Sequence, residues 1–259
     1  MSQTFRQPDI LEVARREGKV TVDGLAERFG VTVQTIRRDL SELALAGKLE
    51  RVHGGAILPS GLTNVGYEVR RDLAAGAKAA IAAACAETIP DNCSIFLSIG
   101  TSTEAVARAL LRHHGLLVVT NNMNVANILR ENHNCETVIA GGTLRRSDGG
   151  LVGTLTLQAI EQFKFDHAII GCSALDHDGD LLDFDIQEVG VSRLIIQRAR
   201  STSLVADSSK FERTAPAQIT SLRELDNFFT NRPVSPELAE LCATWSTAIH
   251  VASDIDPIG

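Results

Sequence analysis

Through the first fifty residues, apolar positions recur at spacings of three and four; beyond about residue 90 they gather into short continuous runs. The first pattern predicts helices. Ile10, Leu11 and Ala14 form one stripe, with Pro8 suited to the opening turn and an end near Gly18. Thr21 can cap a second helix whose Leu25, Ala26 and Phe29 face inward, and Gly30 suits the position beyond its end. Gly30-Val31-Thr32 then reads as a three-residue turn, with Thr32 capping a third helix that gathers Val33, Ile36, Leu40 and Leu43 on one side. Lys48 to Val52 alternates with period two, His53-Gly54-Gly55-Ala56 supplies a turn, and Ile57-Leu58 can return as a small hairpin, or wing.

Pro59-Ser60-Gly61 and the polar residues after it predict a linker over 59–69, separating a small domain, 1–58, from a larger one, 70–259. An Ala-rich helix is expected from about Arg70 to Ile89. Strands are then expected at 94–99, 116–120, 137–140, 167–172 and 202–206, with helices between them at 104–112, 125–131, 155–163 and 186–198. Apolar strands bounded by helices predict an α/β domain with a mostly parallel sheet covered on both faces. Aromatics are only 4% of the chain, so its cores should be aliphatic.

The net charge of −7 argues against nucleic acid until it is divided. Residues 1–58 hold nine Lys/Arg against eight Asp/Glu, a net of +1, and the remainder sixteen against twenty-four, a net of −8. The acidity belongs to the larger domain, and the small one needs only a local basic face to meet a polyanion. Five cysteines without CxxC spacing read as thiols in a reducing compartment. No signal-like leader opens the chain and no run approaches the ~20 apolar residues of a membrane span, so a cytoplasmic protein is expected. His113-His114 lacks further spaced metal ligands, His167 reads as a satisfied buried histidine, and no cofactor is expected.

The third helix is the most informative segment. Opposite its apolar side lie Gln34, Arg37, Arg38 and Ser41, whose side chains can donate to guanine, adenine and phosphate oxygens. Helix, tight turn with glycine, helix is the helix-turn-helix arrangement, in which the second helix enters the major groove. That points to Thr32, Gln34, Thr35, Arg37 and Arg38 as DNA-binding candidates, joined from the wing by Lys48, Arg51 and His53. The plainer reading pairs Arg37 and Arg38 with Asp39 or Glu42 on an ordinary solvated face.

In the larger domain, Gly100-Thr101-Ser102-Thr103 follows an apolar strand and opens a helix, an arrangement suited to an anion. Asn121 and Asn122 end the next strand with amides that could meet hydroxyls, and Gly141-Gly142 end the third. Three such loops would converge at one sheet edge. Each could also be a plain turn, and Glu188 with Lys210 a surface pair.

Val22, Leu25-Ala26, Phe29-Gly30-Val31-Thr32, Thr35-Ile36-Arg37-Arg38-Asp39-Leu40, Leu43 and Arg51…His53-Gly54-Gly55-Ala56 together resemble the DeoR-type family of bacterial sugar-metabolism repressors. The resemblance runs on through Ile99-Gly100-Thr101, Thr120 to Asn127, Ala140-Gly141-Gly142, Asp148-Gly149-Gly150, Phe184-Asp185…Glu188-Val189 and Asp207 to Phe211, where it is similar to the glycerol-3-phosphate branch. It implies a winged helix-turn-helix before an effector domain similar to ribose-5-phosphate isomerase. It also implies a phosphorylated sugar or polyol as effector, with glycerol-3-phosphate the nearest match. Carried over, Gly100 to Thr103 would hold phosphate, and Asn121, Asn122, Glu188 and Lys210 would line the polyol. Ser98 and Ser208 depart from the pattern, standing where an acidic residue and a histidine are usual.

The expectation is therefore a transcriptional repressor and not an enzyme, acting on operator DNA as a homodimer or homotetramer, because one small reader buries too little surface alone. The competing expectation is a sugar-phosphate isomerase with a DNA-binding appendage, using Asp185 or Glu188 as base and Lys210 as electrophile.

Overall fold

The computed structural model describes residues 3–17, 19–52, 54–57 and 67–252, which form two compact units, Met1–Leu73 and Ala74–Gly259. His53, and residues 59–66 of the expected linker, lie outside the described residues.

The first unit contains α1 (Gln3–Glu17), β1 (Lys19–Thr21), α2 (Val22–Phe29), α3 (Val33–Leu45), β2 (Glu50–Val52), β3 (Gly55–Ile57) and α4 (Tyr67–Asp72). Thr21 caps α2 by accepting from the Gly24 amide, and Gly30 ends it at φ +62°, a conformation that costs glycine nothing. Thr32 caps α3 by accepting from the Thr35 amide at 3.2 Å. Ile10, Val20, Leu25, Ile36, Leu40 and Leu49 close one core. Three expectations are corrected. Pro8 lies inside α1, because the helix begins five residues earlier. Val33 is exposed: it occupies the first turn of α3, before the helix meets the core. The wing is also larger than a hairpin, since β1 joins it to give the antiparallel order β1-β3-β2.

The second unit opens with α5 (Ala75–Glu87), so the helix expected over 70–89 is two helices. Ala74 adopts φ +53° between them, a break that an Ala-rich sequence does not announce. There follow β4 (Ser94–Leu97), α6 (Thr101–Ala109), β5 (Leu116–Thr120), α7 (Met123–Leu129), β6 (Cys135–Ile139), β7 (Thr143–Arg145), β8 (Gly150–Val152), α8 (Thr154–Glu161) and β9 (Phe165–Ile170). The chain ends with β10 (Ala174–Leu175), β11 (Asp180–Asp183), α9 (Ile186–Arg198), β12 (Ala199–Val205), β13 (Ala217–Ser221), β14 (Asn227–Thr230), α10 (Pro236–Trp245) and β15 (Ala248–Val251).

Seven of these strands form one parallel sheet, ordered β15-β14-β12-β9-β4-β5-β6. Alternate residues feed two cores: Phe96, Leu204 and Phe228 enter one, while Ile95, Val205 and Phe229 enter the other. The chain builds outward from β4 to β6, then returns to the other side of β4 with β9. That reversal is a topological switch point, where the loops leaving β4 and β9 run to opposite sides at the carboxyl edge. Two small antiparallel sheets, β7-β8 and β10-β11-β13, complete the unit and were not expected from the sequence.

Candidate DNA-reading face and effector site

On α3, Ile36, Leu40 and Leu43 are buried, while Thr32, Gln34, Arg37 and Arg38 are exposed and Thr35 is half-buried. The Thr35 and Thr32 hydroxyls lie 2.9 Å apart at the helix start. Arg37 has no side-chain partner among the described residues. Arg38 Nε donates to Glu42 Oε1 at 3.2 Å, so the plainer reading holds for one of the two arginines. Asp39 does not take part in that face. It is fully buried and receives Arg6 Nε from α1 at 2.6 Å, a pairing across 33 positions that local spacing could not reveal. Lys48 and Arg51 are exposed beside the helix. Arg51 Nη1 donates to the Arg37 carbonyl at 3.1 Å, strapping the wing to the middle of α3.

In the second unit, Gly100 precedes α6 without a side-chain cap, leaving the opening of that helix to other partners. Of the hydroxyls expected to meet an anion, Thr101 is half-buried, whereas Ser102 and Thr103 are buried. Thr103 Oγ1 lies 2.7 Å from the carbonyls of both Ser98 and Gly100, so it braces the loop and does not face solvent. Ser98, one of the two departures from the family pattern, is buried in the same loop.

Asn121 and Asn122 are both buried but differ in use. Asn122 Oδ1 accepts from the Asn124 amide at 2.9 Å and caps α7, which is a structural task. Asn121 Nδ2 donates to the Leu151 carbonyl at 3.0 Å, while its Oδ1 is buried with no partner among the described residues. An acceptor in that state is costly unless something else supplies a donor. Gly141 and Gly142 are exposed, and the Gly141 carbonyl is taken by Thr156 Oγ1 at 2.6 Å.

Glu188 and Lys210 are not a surface pair. Lys210 is buried beside Asp207, just beyond β12. Burial pushes the Asp207 carboxyl up, but Lys210, the amide of Ser209 and Lys78 outweigh it and hold the group below its usual range. Lys78, buried on α5, joins Lys210 in acting on Asp207; its signal in the sequence is a lone lysine in an alanine run on a core-facing helix.

Arg145 was missed as well. It stands at the end of β7 and holds three carboxylates: Asp148 through Nε and Nη2, Asp185 through Nη1 at 2.6 Å, and Glu188 through Nη2 at 2.5 Å. Burial and the nearby Asp183 push Glu188 up to about 7 despite that guanidinium. Asp183 in turn accepts from Ser173 in the loop after β9, at the switch point. The β7-β8 hairpin is also pinned to the end of β5 by the Leu151 amide, which donates to the Asn121 carbonyl at 2.7 Å. The carboxyl edge thus carries a lysine side, Lys78 and Lys210 with Asp207, and a carboxylate side organised by Arg145.

This combination, a winged helix-turn-helix and a parallel α/β unit with charged side chains gathered at its carboxyl edge, is the build of a DNA-binding regulator with a sensor domain. The DeoR-like helix-turn-helix domain matches residues 6–61, and the DeoR C terminal sensor domain matches residues 74–232. The chain belongs to the DeoR family. It is 45% identical to the glycerol-3-phosphate regulon repressor of Escherichia coli (strain K12) over 233 residues, 90% of this chain and 92% of that one. It is 44% identical to the protein of the same name from Haemophilus influenzae over 230 residues, 89% and 90% of the two chains. Among solved structures, ribose 5-phosphate isomerase A from Methanocaldococcus jannaschii is 12% identical over 52% of this chain and 53% of that chain, with a TM-score of 0.39.

Proposed function

We propose that this protein represses transcription of a glycerol or related polyol catabolism regulon, and that a phosphorylated metabolite, glycerol-3-phosphate, controls its hold on operator DNA. The observation that carries the reading is the exposed Arg37, without a side-chain partner among the described residues, on a capped helix whose far side is packed into a core. Residues 1–58 would form the reader, and the second unit, Ala74–Gly259, the effector and oligomerisation domain of a homodimer or homotetramer. Control follows from linkage: an effector that binds the arrangement unable to hold DNA draws the population toward it.

In this reading the phosphate meets Lys210, Lys78 and the opening of α6, while polyol hydroxyls meet the unsatisfied Asn121 Oδ1 and the carboxylate side. The reading is a binding protein and not an isomerase. Asp185 and Glu188, the carboxylates an isomerase would use as base, are both engaged by Arg145. A thermal-shift panel of sugar and polyol phosphates, paired with operator-binding titrations, tests it. Glycerol-3-phosphate should raise the melting temperature and weaken DNA binding. If no phosphorylated polyol does either, the effector reading falls; enzyme-like turnover of ribose-5-phosphate would reinstate the isomerase.

A further inference from the structure

The exposed side of α3 carries two arginines in different circumstances. Arg37 has no side-chain partner among the described residues, whereas Arg38, with 73% of its side chain exposed, is joined to Glu42 one turn along the helix. An exposed pair at this spacing is ordinarily weak, because both side chains exchange freely with water. Here the acid is held from a second direction. Gln7 Nε2, on α1, donates to Glu42 Oε2 at 2.8 Å while Oε1 faces Arg38. One oxygen is thus anchored to a different helix while the other orients a guanidinium. Asp39, between them in sequence, fixes the same two helices through Arg6. The carboxylate of Glu42 is therefore set in place by the fold.

A fixed negative charge beside a groove-facing arginine has two effects on a polyanion. It repels phosphates directly, and it occupies a cation that would otherwise reach for them. Neither effect depends on base sequence, whereas Arg37 remains free to fork onto a base edge. We propose that Glu42 is a specificity-determining residue of the DNA face: it keeps Arg38 off the phosphate backbone and so restrains sequence-independent binding. The inference rests on the reading of α3 as the DNA-reading helix.

Each phosphate contact adds about 0.9 to the slope of log affinity against log salt. Glu42→Gln keeps the side-chain shape and removes the charge. For the full chain titrated into a 30-base-pair duplex of arbitrary sequence, it should steepen that slope by about 0.9. The affinity ratio between 50 and 200 mM salt should then grow about 3.5-fold over the unsubstituted protein. Glu42→Gln/Arg38→Ala should remove the added slope, which mere loss of a repulsive charge would not do. Gln7→Leu, which leaves every charge on α3 intact, should move the slope in the same direction by a smaller amount and guards against a folding defect in the first variant. An unchanged slope in both Glu42→Gln and Gln7→Leu overturns the proposal, as does added slope that survives in the double variant. If the unsubstituted protein binds no duplex at all, the reading of α3 falls and takes this inference with it; salt-dependent binding with unaltered slopes removes Glu42 alone.

Discussion

Arg6 and Asp39 form a buried ion pair, Nε to Oδ2 at 2.6 Å, that ties α1 to α3 with both side chains almost fully sheltered from water. The second carboxylate oxygen, Oδ1, is buried without a partner among the described residues. A pair in this state contributes little over apolar side chains of similar volume, because both charges lose their hydration; what costs heavily is breaking one half of it. Asp39→Ala should therefore cost about 3–5 kcal/mol by urea denaturation. Arg6→Met combined with Asp39→Leu should recover most of that loss. A double variant as unstable as the single one would mean that the pair is needed for more than mutual neutralisation.

Arg37 is the cleanest candidate for direct base readout, since its guanidinium has no competing partner among the described residues. If it forks onto a guanine, Arg37→Ala should lose about 1–3 kcal/mol of specific affinity and relax preference at one base position. Gel-shift titration against a set of singly substituted operators reads both effects. A uniform loss across all sequences would make Arg37 a phosphate contact instead.

The course of α3 was legible because its signals are local: Thr32 caps, Gly30 turns, and Ile36, Leu40 and Leu43 keep helical spacing. β5 and α9 likewise occupy the residues that their apolar pattern predicts. Where the sequence was opaque, the deciding contact was distant or the local signal missing. Asp39 looks like a solvated acid until Arg6, 33 positions earlier, is folded against it. Arg145 looks like one of two adjacent surface arginines until α9 brings up Asp185 and Glu188. The break at Ala74 carries neither glycine nor proline. Thr103 and Asn122 were expected to face a ligand because of residue type, but the loop carbonyls and the start of α7 use them internally. The candidate loops were therefore legible as a set at one sheet edge, and the internal tasks of their side chains were not.

Gly142 offers a test of how tightly the β7-β8 hairpin is joined to the rest of its unit. It adopts φ +136°, and a Cβ there would come within 2.1 Å of Thr156 Oγ1 and 2.7 Å of the Val152 carbonyl. Thr156 cannot withdraw without surrendering its bond to the Gly141 carbonyl. Gly142→Ala should lose about 1–3 kcal/mol from backbone strain, with the clash adding to it. Thermal unfolding measures the total, and a neutral outcome would show the hairpin free to shift.

Glu188 makes the second unit sensitive to pH in a direction opposite to that of a typical paired carboxylate. Burial, reinforced by Asp183, pushes its pKa from the ordinary 4.5 to about 7, against the pull of Arg145. Between those values the folded chain retains a proton that the unfolded chain has released, so stability falls as pH rises. The penalty is absent below about 4.5, grows through the window and is complete above about 7. Glu188→Gln removes this titration along with part of the Arg145 network, so its absolute stability at one pH is uninformative. The difference between variant and parent is the useful quantity: it should move in favour of the variant from pH 5 to 8 in chemical denaturation. A difference that stays level across that range, or a carboxyl carbon resonance for Glu188 that titrates near 4.5, would show that Arg145 prevails over burial. Arg145→Ala then discriminates further, because removing the guanidinium should drive the Glu188 pKa higher still.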